Sequence, residues 1–184
     1  MCAFLEVTVC ASGADAYVLG RTVGVTDGDT ITVLDANRTP IRVRLFGIDA
    51  PEKAQDFGQK AKQALSVLVF GREVRVEVTS TDRYGRSIGK VHAGTTYVNL
   101  AMVQAGFAWH YRQYAPDDQD LLGAEVAARA AGKGLWAQPN PTPPWEWRRA
   151  DKGSRVDGPP SKAEAALRRE ADDPPADRTP SGSR

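Results

Sequence analysis

Thr30-Ile31-Thr32-Val33-Leu34-Asp35-Ala36-Asn37-Arg38-Thr39-Pro40-Ile41-Arg42-Val43-Arg44-Leu45 is the stretch on which the fold turns. Thr30–Leu34 alternates apolar and polar side chains, the period of a half-buried strand. Asp35-Ala36-Asn37-Arg38 follows as a tight turn, rich in the residue types whose side chains bond their own backbone. The alternation then resumes over Ile41–Ile48. Ile41, Val43 and Leu45 lie on one side, Arg42, Arg44 and Phe46 on the other, and Pro51 ends the strand. Two alternating runs joined by a short turn predict an antiparallel hairpin.

Outward from this hairpin, the pattern stays β on both sides before it becomes helical. Val18–Thr26 is a strand that ends at Asp27-Gly28-Asp29, a turn signal. Lys60–Val69 places Ala61, Ala64, Leu65 and Leu68 on one helical face, with Gly71 as its stop. Val74, Val76 and Val78 alternate with Glu73, Arg75 and Glu77, and Arg86–Val91 pairs with that strand through the Asp82–Gly85 turn. Asn99–Gly106 and Asp118–Ala131 read as helices. There is no strand–helix–strand alternation and no internal repeat, so a parallel sheet is not expected. The expected fold class is α+β, mainly β: a five-stranded OB-type Greek-key barrel with about three α-helices and a disordered C-terminal tail.

The 184 residues divide into three parts. Residues 1–16 are an export-signal remnant or a disordered segment. They offer the small residues Ala14-Asp15-Ala16, but no Lys or Arg precedes Arg21 and Glu6 breaks the apolar run. Residues 17–149 form the folded body. Residues 150–184 hold five of the 12 prolines and no aromatic residue, a composition that cannot offset its chain entropy by burial. The net charge of +1 separates into −2, +3 and 0 over these parts. The near-neutral total therefore excludes a histone-like polycation, and argues against tight charge-driven binding, without excluding nucleic acid as a partner. No run approaches the roughly 18–20 apolar residues of a membrane span. Both cysteines, Cys2 and Cys10, fall in the first 16 residues, so the body needs no disulfide.

The chemistry-bearing residues gather at strand ends. Asp27-Gly28-Asp29-Thr30 and Asp49-Ala50-Pro51-Glu52 each bring two carboxylates to one end of the predicted hairpin pair. Four carboxyl groups in one region repel unless a cation lies between them, and oxygen donors without His or Cys favour Ca²⁺ or Mg²⁺. An Asp-Gly-Asp turn alone is equally a solvated hairpin corner. Arg44 lies in an apolar strand, where an unpaired charge is costly. Arg86 lies just past the Asp82–Gly85 turn. Acids that hold a cation, with two arginines that hold an anion, are the parts of a phosphoryl-transfer site.

In this order, Val25-Thr26-Asp27-Gly28-Asp29-Thr30, Val43–Glu52 and Asp82-Arg83-Tyr84-Gly85-Arg86 resemble the three motifs of the staphylococcal nuclease, or thermonuclease, family. Asn99–Ala108 and Gly134-Leu135-Trp136 resemble further stretches of it, so that the resemblance covers roughly Tyr17–Trp136. It implies a Ca²⁺-dependent phosphodiesterase that cleaves DNA and RNA at the bond to the 5′ oxygen, leaving 3′-phosphate ends. Asp29, Asp49 and the backbone carbonyl of Ala50 would ligate Ca²⁺, with Asp27 and Thr30 behind them orienting water or the turn. The family's best-known member has Thr where this chain has Ala50, a change that a carbonyl ligand tolerates. Arg44 and Arg86 would hold the scissile phosphate and Glu52 the attacking water. Tyr84, Arg112 and Tyr114 would contact nucleotide; Arg112 stands where the family has a second tyrosine. The loop Lys53–Gln59 is shorter than in the best-known member. The implied partners are DNA and RNA, single-stranded or denatured DNA included, for a monomer that is secreted or periplasmic.

Two other readings remain at this point: a non-catalytic module of the same fold that binds nucleic acid or protein, and a general OB-type binder in which the acids are ordinary turn residues. His92 and His110 have no Ser or Cys placed to make a nucleophilic triad. Trp109 and Trp136 read as core. Trp145 and Trp147 read as a cover for an apolar patch, or as bases' stacking partners.

Overall fold

The computed structural model describes residues 17–156. In chain order these form β1 (Tyr17–Val25), β2 (Thr30–Asp35), β3 (Pro40–Leu45), β4 (Ile48–Asp49), α1 (Gly58–Val69), β5 (Glu73–Thr81), β6 (Ser87–Ala93), β7 (Thr96–Tyr97), α2 (Val98–Gln104), β8 (Trp109–His110), α3 (Gln119–Ala130), a 3₁₀ turn (Gly134–Ala137) and α4 (Pro144–Val156). Both the 1–16 segment and most of the expected tail lie outside the described residues. The expected start of that tail, Ala150, falls inside α4.

The sheet runs β3-β2-β1-β5-β6-β7, and β3 also pairs with β6, so five strands close into a barrel. The α+β class, mainly β, and the five-stranded barrel are as expected, and α4 is a helix beyond the expected three. Four of the five barrel pairings are antiparallel, and β3–β6 is parallel. A ring with an odd number of strands cannot alternate direction all the way round, so one parallel seam is unavoidable. That seam sets Ser87 beside Val43 and Ile88 beside Arg44.

The hairpin alternation is used as expected. Ile31 and Val33 of β2 and Val43 and Leu45 of β3 are fully buried, and each such side chain contributes about 1.5–3 kcal/mol relative to exposure. Helix α1 closes one side of the core with Ala61, Leu65 and Val69, spaced four apart on one face. Helices α2 and α3 add Val98, Met102, Val103 and Leu121. Asp118 caps α3, its carboxylate accepting the Leu121 N–H at 3.0 Å.

One strand departs from expectation. The run Ile41–Ile48 does not stay in one strand: it breaks at Phe46-Gly47, where Gly47 takes a φ of 73°, and Ile48-Asp49 pairs instead with Trp109 and His110. A side chain at Gly47 would strike Leu121 and Ala115, so the bend and the close packing demand the same residue. Asn99, fully buried, secures the break by donating to the Phe46 carbonyl at 2.8 Å and accepting the Val91 N–H at 2.9 Å. After the bend, the Asp49-Ala50 segment lies against the β1–β2 turn, where Ala50 meets Gly28.

Candidate functional site

The turn between β1 and β2 is closed by the Thr26 N–H donating to the Thr30 carbonyl. Gly28 at its apex lies so close to Ala50 and Ala61 that a Cβ would meet their Cβ atoms at 2.6 and 2.7 Å. This contact brings the Asp27-Gly28-Asp29 turn against the Asp49-Ala50 segment, and it needs small residues on both sides. The Asp29 carbonyl accepts the Leu45 N–H at 2.8 Å, which locks the turn to the end of β3.

The three side chains thereby brought together are Asp29, Asp49 and Arg44. Asp29 and Asp49 are almost wholly buried. One guanidinium nitrogen, Arg44 Nη2, lies 3.0 Å from Asp29 Oδ2 and 2.7 Å from Asp49 Oδ1. Thr30 donates its hydroxyl to Asp29 Oδ1 at 2.9 Å, and the Ala50 N–H reaches Asp29 Oδ2 at 3.4 Å. Two buried carboxylates thus converge on one positive group. Asp27 accepts the Asp29 N–H at 3.2 Å. Burial, and then the charge of Asp29, push its carboxyl up to about 7.

Among the described residues, no group of three or more His, Cys, Asp or Glu is arranged to hold a metal ion. Arg44 reaches between Asp29 and Asp49, and Glu52 lies beyond Pro51 on a separate turn, where its N–H donates to Gln55 Oε1 at 3.1 Å. What remains is a pair of carboxylates with the adjoining backbone of Ala50. Hard oxygen donors, buried and already turned towards a cationic group, fit a divalent cation such as Ca²⁺.

Arg86 is held differently. Its Nε donates to Asp82 Oδ2 at 2.7 Å and its backbone N–H to Asp82 Oδ1 at 2.9 Å. Desolvation acts upward on Asp82, but hydrogen bonds from Arg86 and Tyr84, and the Arg86 charge, outweigh it and hold the carboxyl below its usual range. The β3–β6 seam carries the start of β6 beside Arg44, which is how a residue 42 positions later joins the same end of the barrel.

The expected nucleotide contacts scatter more widely. Tyr84 is 67% exposed, with Arg83 and Arg86 against its ring at 4.8 and 5.6 Å. Tyr114 is 59% exposed and meets Tyr111 edge-on at 4.9 Å. Arg112 lies 3.6 Å from Glu125, a buried acid on α3 that also takes Arg129 at 3.3 Å. Trp145 stacks on Tyr111 at 5.4 Å and meets Trp109 edge-on, so it does cover an aromatic patch. Sequence reasoning passed over Asp82, Asn99 and Gln55. An Asp four residues before an Arg across a turn was a usable signal for the first; the other two each have one near partner, Val91 for Asn99 and Glu52 for Gln55, but their second partners, Phe46 and Thr142, are too distant in sequence to be read.

A family model described as staphylococcal nuclease homologue matches residues 42–138. Protein ParB of Escherichia coli is 45% identical over 166 residues, covering 85% of this chain and 93% of that protein. A micrococcal nuclease of Shigella flexneri is 47% identical over 158 residues, covering 80% and 90%. An uncharacterized endonuclease of Haemophilus influenzae is 47% identical over 132 residues, covering 72% and 74%.

Proposed function

The chain belongs to the staphylococcal nuclease homologue family, and on that premise we propose that it is a Ca²⁺-dependent nuclease that hydrolyses DNA and RNA at the P–O bond to the 5′ oxygen, leaving 3′-phosphate ends. The observation that carries the reading is the convergence of buried Asp29 and Asp49 on Arg44, in a chain that keeps Arg86 and Glu52 as well.

Asp29, Asp49 and the Ala50 carbonyl would hold the cation, which supplies charge neutralisation at the phosphate and a polarised water. Thr30 and Asp27 orient Asp29 through the hydroxyl and backbone contacts described above. Arg44 and Arg86 bind the scissile phosphate and match the charge that builds on its oxygens in the five-coordinate transition state. The Asp82 clamp fixes Arg86 at Nε, so that its guanidinium plane is set before substrate arrives. Glu52 orients the attacking water or accepts its proton; the new P–O bond forms as the bond to the 5′ oxygen breaks in line. Tyr84, Arg112 and Tyr114 contact the nucleotides that flank the cleaved bond. The substrate includes single-stranded or denatured DNA, the protein acts as a monomer, and its place is secreted or periplasmic.

Hydrolysis of denatured DNA by the intact chain, with Ca²⁺ and with a chelator, tests this reading. Cleavage that stops on chelation and returns with Ca²⁺ is expected, with 3′-phosphate termini. Binding without cleavage would instead assign the chain to the non-catalytic alternative.

A further inference from the structure

The turn that carries Glu52 is fastened from outside the barrel. Gln55 is only 7% exposed, and its carboxamide has two partners. Its Oε1 accepts the Glu52 N–H at 3.1 Å, and its Nε2 donates to the Thr142 carbonyl at 2.5 Å, across 87 residues of sequence. One partner can only donate and the other can only accept. A carboxamide satisfies both at once; a carboxylate in its place keeps the first bond and loses the second, and an alanine loses both.

The turn itself is under constraint. The Gln55 N–H donates to the Glu52 carbonyl at 2.9 Å, and Gly58 lies against that same carbonyl so closely that a Cβ would collide with it. Phe57, between them, takes a φ of 65°, a left-handed conformation that a bulky residue holds only when its surroundings enforce it. A second tie joins the same two segments: Gln138 donates to Asp56 at 3.2 Å. Beyond Thr142 the chain reaches Trp145, whose ring lies flat on Tyr111. The segment 138–145 is therefore a strap, tied at two points to the Glu52 turn and stacked at its far end on the Tyr111–Tyr114 corner.

We infer that Gln55 is a positioning residue for Glu52, and that it works by tying the Glu52 turn to the strap at Thr142. The inference rests on the proposed role of Glu52 at the attacking water. A group in that role must be held closely, since a misplacement of about 1 Å can cost about 100-fold in rate.

Gln55→Ala and Gln55→Glu in the full chain test it, by steady-state kinetics on denatured DNA and by amide hydrogen exchange at Glu52. Gln55→Ala is expected to lower kcat by about 10- to 100-fold with KM within about twofold, and to speed exchange of the Glu52 amide about fivefold or more, as loss of one ordinary hydrogen bond implies. Gln55→Glu is expected to keep the slow Glu52 amide and still lose kcat, because only the Thr142 tie is gone. It also decides the matter if Gln55→Ala does not fold. Wild-type kcat in either folded variant, or an unchanged Glu52 amide in Gln55→Ala, would overturn the inference. A wild-type protein that does not cleave would overturn the nuclease reading and with it the role of Gln55 in placing Glu52, while the exchange measurement would still decide whether Gln55 holds the Glu52 amide.

Discussion

Arg44 and Arg86, both assigned to the scissile phosphate in the proposed mechanism, are built in opposite ways. Arg44 depends on the whole barrel: the carboxylates of Asp29 and Asp49 come to it from the β1–β2 turn and from β4, and they meet because Gly28 fits against Ala50 and Gly47 bends the chain. Arg86 depends on five residues, since the Asp82 turn holds both its backbone and its side chain. The difference teaches that, under the proposed mechanism, Arg44 would carry folding and chemistry together, whereas Arg86 should be alterable with the fold intact.

The largest effect is expected at Arg44. Arg44→Ala removes the guanidinium from between buried Asp29 and Asp49, a loss of about 3–5 kcal/mol. Added Ca²⁺ should raise the melting temperature of this variant more than that of the wild type, because the ion replaces the missing charge. Thermal unfolding with and without Ca²⁺ reads both, and equal Ca²⁺ effects would break the comparison. Arg86→Ala should melt close to the wild type and lose about 100- to 1,000-fold in turnover; an unchanged rate on an intact fold would remove Arg86 from the site. The smallest effect is expected at Asp82. Its folded carboxyl lies below the ordinary value of 3.8, so its contribution is present above that value and is lost as pH falls through the lower folded one. Asp82→Asn should therefore flatten the part of the stability–pH profile that falls below about pH 4, and a profile of unchanged shape would show that the clamp is not ionic.

The same contrast decides what was legible in the sequence. The β2–β3 hairpin could be read because period-two alternation is local, and so could the Asp82 turn and α1. The barrel followed from strand count and helix placement. The break after Leu45 has a local signal, since Ile48 and Asp49 fall out of phase with Ile41, Val43 and Leu45 and Gly47 stands at the change, but the partners Trp109 and His110 are visible only in the fold. That Arg44 reaches between two of the four acids could not be read either, because sequence shows charge but not reach. Arg112 read as a substrate contact, while its pairing with Glu125 depends on how α3 is turned. The tie that Gln55 makes to Thr142 carried no signal, because that carbonyl lies 87 residues away.

The claim on which the rest depends is that Asp29 and Asp49 form a cation site. Calorimetric titration of the intact protein with Ca²⁺, wild type against Asp49→Asn and without nucleic acid, tests it most directly. The account predicts saturable binding of one ion by the wild type and binding weaker by about tenfold or more in the variant, as for loss of a charged ligand. Equal affinity in both folded proteins, or no binding by the wild type, would contradict it.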